Sequence, residues 1–151
     1  MILRGKILSA VVALSILTVG AVATASAQLP GTRMSAQIPF AFNVGEKTLP
    51  AGTYEIRRVG GDPYVLYIQN VDDREEVTIF ITTLVDELNL NRQSALLFHR
   101  YGDSYFLAEV RSRYEGITRG LQSSEEERRM ERELASNNKA AEWQSVPLAA
   151  N

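Results

Sequence analysis

The feature that most constrains this chain is a series of short apolar runs with a period of two, each closed by turn-forming residues. Successive strand side chains point to opposite faces, so such a run buries one face and needs neighbouring strands to satisfy its backbone. The densest run is Val77-Thr78-Ile79-Phe80-Ile81-Thr82-Thr83 within residues 75–85, where β-branched side chains suit a pleated surface. Ile38, Phe40, Phe42 and Val44 alternate with Gln37, Pro39, Ala41 and Asn43, which predicts a first strand over 38–44. Pro39 has no N–H, so it marks an edge or an unpaired position.

After a turn region at Gly45 and Leu49-Pro50-Ala51-Gly52, Tyr54 and Ile56 share one face of residues 53–59, opposite Glu55 and Arg57. Gly60-Gly61-Asp62-Pro63 turns the chain into 64–70, where Tyr64, Leu66 and Ile68 alternate with Val65 and Tyr67. Both faces are apolar, which predicts a strand covered on both sides. Asp72-Asp73-Arg74 turns again, and residues 86–94 read as a polar connection. Residues 95–101 and 105–111 flank Gly102-Asp103-Ser104 as a hairpin. A two-residue loop would set His99 opposite Phe106, and a three-residue loop would set it opposite Leu107.

The last third has a different period. Ser124 and Glu127 have capping-box spacing, Glu125 and Glu126 place acids in the first turn, and helix formers follow, predicting a helix over about 124–136. Its apolar stripe is Met130 and Leu134, with Leu121 before the cap, and Glu125–Arg129 and Arg129–Glu133 supply i,i+4 pairs. It therefore lies on a surface. Ser136-Asn137-Asn138 ends it, and residues 143–149 form a short final strand or a tail.

At the other end, residues 1–27 have the pattern of a secretory signal: Arg4 and Lys6, then an apolar stretch over 7–23, then Ala25-Ser26-Ala27. Cleavage is expected between Ala27 and Gln28, leaving a flexible lead-in over 28–36, one β-rich domain over 37–135, and residues 137–151 as the tail or final strand. Export to the periplasm or the cell exterior follows, with membrane contact only through the signal before it is cleaved. The chain has no cysteine, so no disulfide, thiolate nucleophile, lipid attachment or cysteine metal site is available. Stability must come from the core, and 45% hydrophobic residues can build one. Losing two of its 16 basic residues with the signal makes a chain of formal charge −2 more acidic still, which argues against nucleic acid as a partner.

Few residues suggest catalysis. Gly102-Asp103-Ser104 beside His99 gathers an acid, a hydroxyl and an imidazole, but a hairpin tip is not the strand–turn–helix of a nucleophile elbow. Asp72, Asp73, Glu75 and Glu76 lack calcium-loop spacing and read as a solvated acidic turn, so no metal or cofactor is expected. A carboxylate-based hydrolase is the weaker alternative, since acid abundance without placement carries little information. The aromatics Tyr54, Tyr64, Tyr67, Tyr101, Tyr105, Tyr114 and Trp143, with Arg100, Arg111 and Arg113, have the composition of a glycan-stacking face. Within it, Tyr101, Tyr105, Arg100 and Arg111 are the candidate ligand-binding residues.

Four segments carry a resemblance: Pro39-Phe40-Ala41-Phe42-Asn43-Val44-Gly45, Leu49-Pro50-Ala51-Gly52-Thr53-Tyr54, Phe98-His99-Arg100-Tyr101-Gly102-Asp103-Ser104-Tyr105-Phe106-Leu107, and Glu131-Arg132-Glu133-Leu134-Ala135. In this order behind a signal, they resemble a family of small secreted β-rich proteins of soil bacteria, over about residues 37–135. That resemblance implies export and a shared domain, and brings no activity, cofactor or catalytic residue.

The expected fold is mainly β, a small antiparallel barrel or sandwich of about six to eight strands with one C-terminal amphipathic helix packed outside it or across an open end. The expected function is non-enzymatic binding of a glycan, an apolar ligand or an envelope protein. A carrier predicts an internal cavity, an interaction module predicts an exposed patch near the helix, and an enzyme predicts acids clustered in a cleft with shifted pKa values.

Overall fold

Pro39 decides how the chain enters its sheet. In the computed structural model, which describes residues 33–87 and 93–150, Met34–Ile38 forms β1 and Phe42–Val44 forms β2, with residues 39–41 in neither. The single strand expected over 38–44 is therefore two. Pro39 cannot donate to a ladder, and the bend at Phe40 lays its ring on Tyr105, stacked at 3.9 Å between centroids, and edge-on to Phe98 at 5.3 Å. β1 starts inside the segment read as a lead-in, because Met34, Ala36 and Ile38 all point into the core and pair with Ile56, Tyr54 and Gly52. The export signal, its Ala27–Gln28 junction and the start of the lead-in lie outside the described residues, as do 88–92 of the connection expected over 86–94.

The remaining strands are β3 (Lys47–Leu49), β4 (Gly52–Arg58), β5 (Val65–Asn70), β6 (Val77–Glu87), β7 (Ala95–Tyr101), β8 (Ser104–Ser112) and β9 (Ile117–Leu121), followed by helix α1 (Glu125–Ser136), β10 (Glu142–Pro147) and β11 (Ala149–Ala150). The molecule is mainly β with one helix among the described residues. Strand order is β10-β7-β8-β9-β6-β5-β4-β1-β11, with β2 paired to β3 and in parallel to β8. The C-terminal segment, left open between strand and tail, is strand. β10 pairs with β7 and β11 with β1, so two consecutive strands occupy opposite ends of the order.

The β7–β8 loop is the two-residue one: Tyr101 pairs with Ser104, Arg100 with Tyr105 and His99 with Phe106. Gly102 has φ +63°, while Asp103 is not among the positive-φ residues, so glycine takes the first loop position as a type II′ turn requires. Ala108 is an extra residue opposite the Leu97–Phe98 step, a bulge that lets Leu107 and Val110 both reach the core although three positions apart.

The core is one cluster built from the inward faces of β1 to β8 and β10, with Phe42, Tyr54, Ile56, Leu66, Ile68, Leu96, Phe98 and Val110 at its centre. Phe42 meets Tyr54 and Phe98 edge-to-face, at 5.2 Å and 5.5 Å. A second buried set, Leu97, Tyr101, Phe106 and Ala108, is separate from this cluster and lies on the other face of β7–β8. The first turn of α1 lies beside it, because Glu127 is hydrogen-bonded to His99 and Tyr101.

Candidate functional site

β6 turns the usual strand pattern inside out. Its residues facing the core are Thr78, Phe80 and Thr82, whereas Val77, Ile79 and Ile81 face outward, Ile79 at 61% and Ile81 at 73% exposure. Pairing with β5 sets this choice: Leu66 and Ile68 face inward opposite Phe80 and Thr78, so Tyr67 and Val65 lie outward opposite Ile79 and Ile81. Thr82 is held by two bonds to one acceptor, its N–H and its hydroxyl both donating to the Tyr64 carbonyl at 2.8 Å. Thr78 is buried with no partner for its hydroxyl. Val85, where the pairing with β9 slips by one residue, continues the exposed apolar surface, while Leu84, paired with Arg119 on the face of Thr82, is exposed from the other side. A groove of about 760 Å³ runs beside this face, lined by β6 and by Val44, Lys47 and Leu121. Lys47 and Glu76 form an ion pair at 2.8 Å on its rim. β6 pairs with β5 over Val77–Ile81 and with β9 over Thr82–Glu87, so among the described residues no strand pairs with the second edge of Val77–Ile81.

A polar cluster lies under the start of α1. Ser124 caps the helix, its hydroxyl accepting from the Glu127 N–H at 3.1 Å. The Glu127 side chain is buried and its Oε1 is 2.6 Å from His99 Nδ1 and 3.5 Å from the Tyr101 hydroxyl. An ionised carboxylate only accepts, so Nδ1 carries the hydrogen and Nε2 of the neutral ring is an acceptor. Trp143, paired with His99 across β10–β7 and 57% exposed, meets the imidazole at 4.2 Å between centroids. Burial above all, then the charges of Glu127 and Glu131 and the bond to Glu127, pushes the Tyr101 phenol up to about 12. A cavity of about 140 Å³ opens here, lined by His99, Glu109, Ser123, Glu127 and Trp143 over a floor that includes Ala108 and Gly120.

A third cluster joins the far loops. Arg119 of β9 is buried, with Nε donating to the Pro63 carbonyl at 2.9 Å and an Nη1 contact of 2.5 Å to Glu115 in the β8–β9 loop. Arg58 of β4 bonds the other oxygen of Glu115. Burial acts to raise the Glu115 pKa, but hydrogen bonds from Arg58 and Arg119 and their charges outweigh it and hold the carboxyl below its ordinary range. The carbonyl of Pro63 and the two arginines tie the β4–β5 and β8–β9 loops together, which assigns this cluster to stability.

The four residues singled out from composition are not gathered on one face. Tyr101 is buried under α1, and its hydroxyl serves Glu127. Arg100 and Tyr105 are cross-strand partners on the opposite face, with the guanidinium 5.7 Å from the ring centre. Arg100 also donates to the Gly102 carbonyl at 2.8 Å, and Tyr105 stacks on Phe40. Arg111 lies farther along β8, 3.8 Å from Glu109. In the acidic turn, the Asn70 side chain accepts from Asp72 and Asp73 N–H, and Asp73 accepts from Glu75 N–H, so part of its oxygen capacity serves the local backbone. The helix pairs also differ from expectation: Arg129 meets Glu126 at 3.2 Å and Arg128 meets Glu125 at 4.0 Å, both at i,i+3.

Sequence reasoning missed Glu127 as a tertiary ligand of His99, the Arg58–Glu115–Arg119 cluster and the inversion of β6. Only the single histidine and the capping glutamate carried a signal for the first. No protein-family model, curated protein or solved structure matches the chain.

Proposed function

We propose that this chain is an exported, non-enzymatic interaction module that docks an envelope protein through the outer face of β6. One observation carries the proposal: Val77, Ile79 and Ile81 stand in water while two threonines of the same strand are buried. A shift of one residue would exchange the faces, so the exposed isoleucines are a property of the fold and not of a lack of core positions. Contiguous exposed apolar surface of this kind is typical of interaction sites. The face is open, beside the residues that lead into α1, and rimmed by charges of both signs, which suits the surface of another protein better than a lipid chain that needs enclosure.

Two further points support this over a carrier. Phe42, Tyr54 and Phe98 occupy the interior that a carried ligand would need. The barrel reading is supported by β10 and β11, separated only by Leu148, standing at the two ends of the strand order, and these two strands do not pair with each other. Export rests on the Arg4/Lys6, apolar and Ala25-Ser26-Ala27 pattern.

The test places a photo-crosslinking side chain at position 81 in living host cells, with the exposed position 131 of α1 as control. The expected result is an adduct with one envelope protein at 81, absent at 131 and lost in Ile79→Asp. Ile79→Asp itself should shift folding stability by no more than about 0.5 kcal/mol, as for a surface position. Adducts only with lipid or with a second copy of the chain overturn the proposed partner, and no adduct at 81 overturns the docking face.

A further inference from the structure

The cavity under α1 lies beside the β6 face, sharing Val85 with it and Leu121 with its groove, while its polar lining belongs to neither. Its polar lining is rich in acceptors. Nδ1 of His99 is committed to buried Glu127, so the ring nitrogen left for a ligand is Nε2, an acceptor in the neutral ring. Glu109 adds a carboxylate and Ser123 a hydroxyl that accepts or donates. Glu109 has Arg111 3.8 Å away, and the Glu127 oxygen is occupied by His99 Nδ1 and the Tyr101 hydroxyl, so an ammonium ligand would have to displace groups already in place. A neutral hydrogen-bond donor does not. The wall beside these acceptors is the exposed indole of Trp143, which offers an apolar face. Ala108 and the side-chain-free Gly120 make room at the floor, and a Cβ at Gly120 would come within 2.4 Å of Val85. At about 140 Å³ the cavity is smaller than the roughly 300 Å³ at which drug-sized sites begin. It therefore takes one ring of a larger molecule.

We infer that this cavity binds a single sugar ring of a glycan, the ring's C–H face against Trp143 and its hydroxyls donating to His99 Nε2 and Glu109. Glu127 is a positioning residue: it holds the tautomer that leaves Nε2 free to accept. The site does not depend on docking through β6, so each can fail while the other stands.

Trp143 is the only tryptophan and His99 the only histidine, so each reports alone. The test titrates the full chain with methyl glycosides of glucose, galactose, mannose and N-acetylglucosamine, following Trp143 fluorescence. A saturable change with at least one glycoside is expected, with affinity about tenfold weaker in Glu109→Ala and in His99→Phe. Should His99→Phe lower the melting midpoint, Glu109→Ala alone decides the comparison. The ¹⁵N spectrum of His99 should show the Nδ1-protonated tautomer. No saturable change with any of the four glycosides, unchanged affinity in Glu109→Ala, or an Nε2-protonated ring overturns the proposal.

Discussion

Glu127, the third residue of α1, holds a carboxylate oxygen 2.6 Å from His99 Nδ1 on β7, twenty-eight positions back along the chain. A capping box would send this side chain to the N–H of Ser124. Only half of the box is made here: Ser124 receives the Glu127 N–H, and the carboxylate leaves the helix to bind the sheet. Glu127 is also the only buried residue of α1, so the helix is anchored by a charged group more than by its apolar stripe. Glu127→Ala should therefore destabilise the domain by about 1–3 kcal/mol, the penalty for stranding hydrogen-bonding partners. Amide hydrogen exchange across 125–136 should accelerate as well. Unchanged exchange would mean that Met130 and Leu134 hold the helix.

Stability should fall in alkali through Tyr101. Its folded pKa is about 12 against an ordinary 10.0, so between those values the unfolded chain has released a proton that the folded chain keeps. The contribution is full below pH 10 and is lost as pH rises toward 12. Denaturant melts of Tyr101→Phe should show a shallower loss over this window. Some slope should remain, because Tyr54 is also raised, chiefly by burial.

The opposite sign applies to Glu115. With its folded pKa below the ordinary 4.5, its contribution is present above that value and is lost as pH falls through the folded pKa. Glu115→Gln should remove this part of the acid sensitivity. At neutral pH Glu115→Ala, which leaves buried Arg119 without its carboxylate, should destabilise by about 3–5 kcal/mol. A melting midpoint equal to that of the parent would show that water replaces the carboxylate.

Thr78→Val should raise stability. The hydroxyl is buried without a partner, and the substitution removes it with little change of shape. The expected gain is about 1 kcal/mol, read as a higher denaturant midpoint with an unchanged slope. A lower midpoint would mean that a water satisfies the hydroxyl.

Elements governed by local chemistry were legible. The helix begins at Ser124 as its cap predicts. It ends with Asn138 at φ +55°, Lys139 N–H on the Leu134 carbonyl and Asn138 N–H on that of Ala135, the paired bonds of a Schellman motif. Tyr54 and Ile56 share a buried face as their alternation requires. β9 was not legible, because Arg119 and Gly120 break its apolar pattern. Arg119 is tolerated inside only because Glu115 meets it, and Gly120 because Val85 takes the space of its missing side chain.

The sequence by itself determined that this chain is strand-rich, where its main hairpin turns, and where its one helix starts and stops. Turn geometry, capping and β-branched propensity act within a few residues, so they can be read from neighbours. Only the tertiary structure decided that β6 turns Thr78 and Thr82 inward, that Glu127 serves His99 and not its own helix, and that residues 142–150 bridge β7 and β1. Those outcomes depend on register between distant strands. A slip of one residue exchanges every side chain between core and solvent, so register is chosen by the burial of the whole sheet and not by any strand alone.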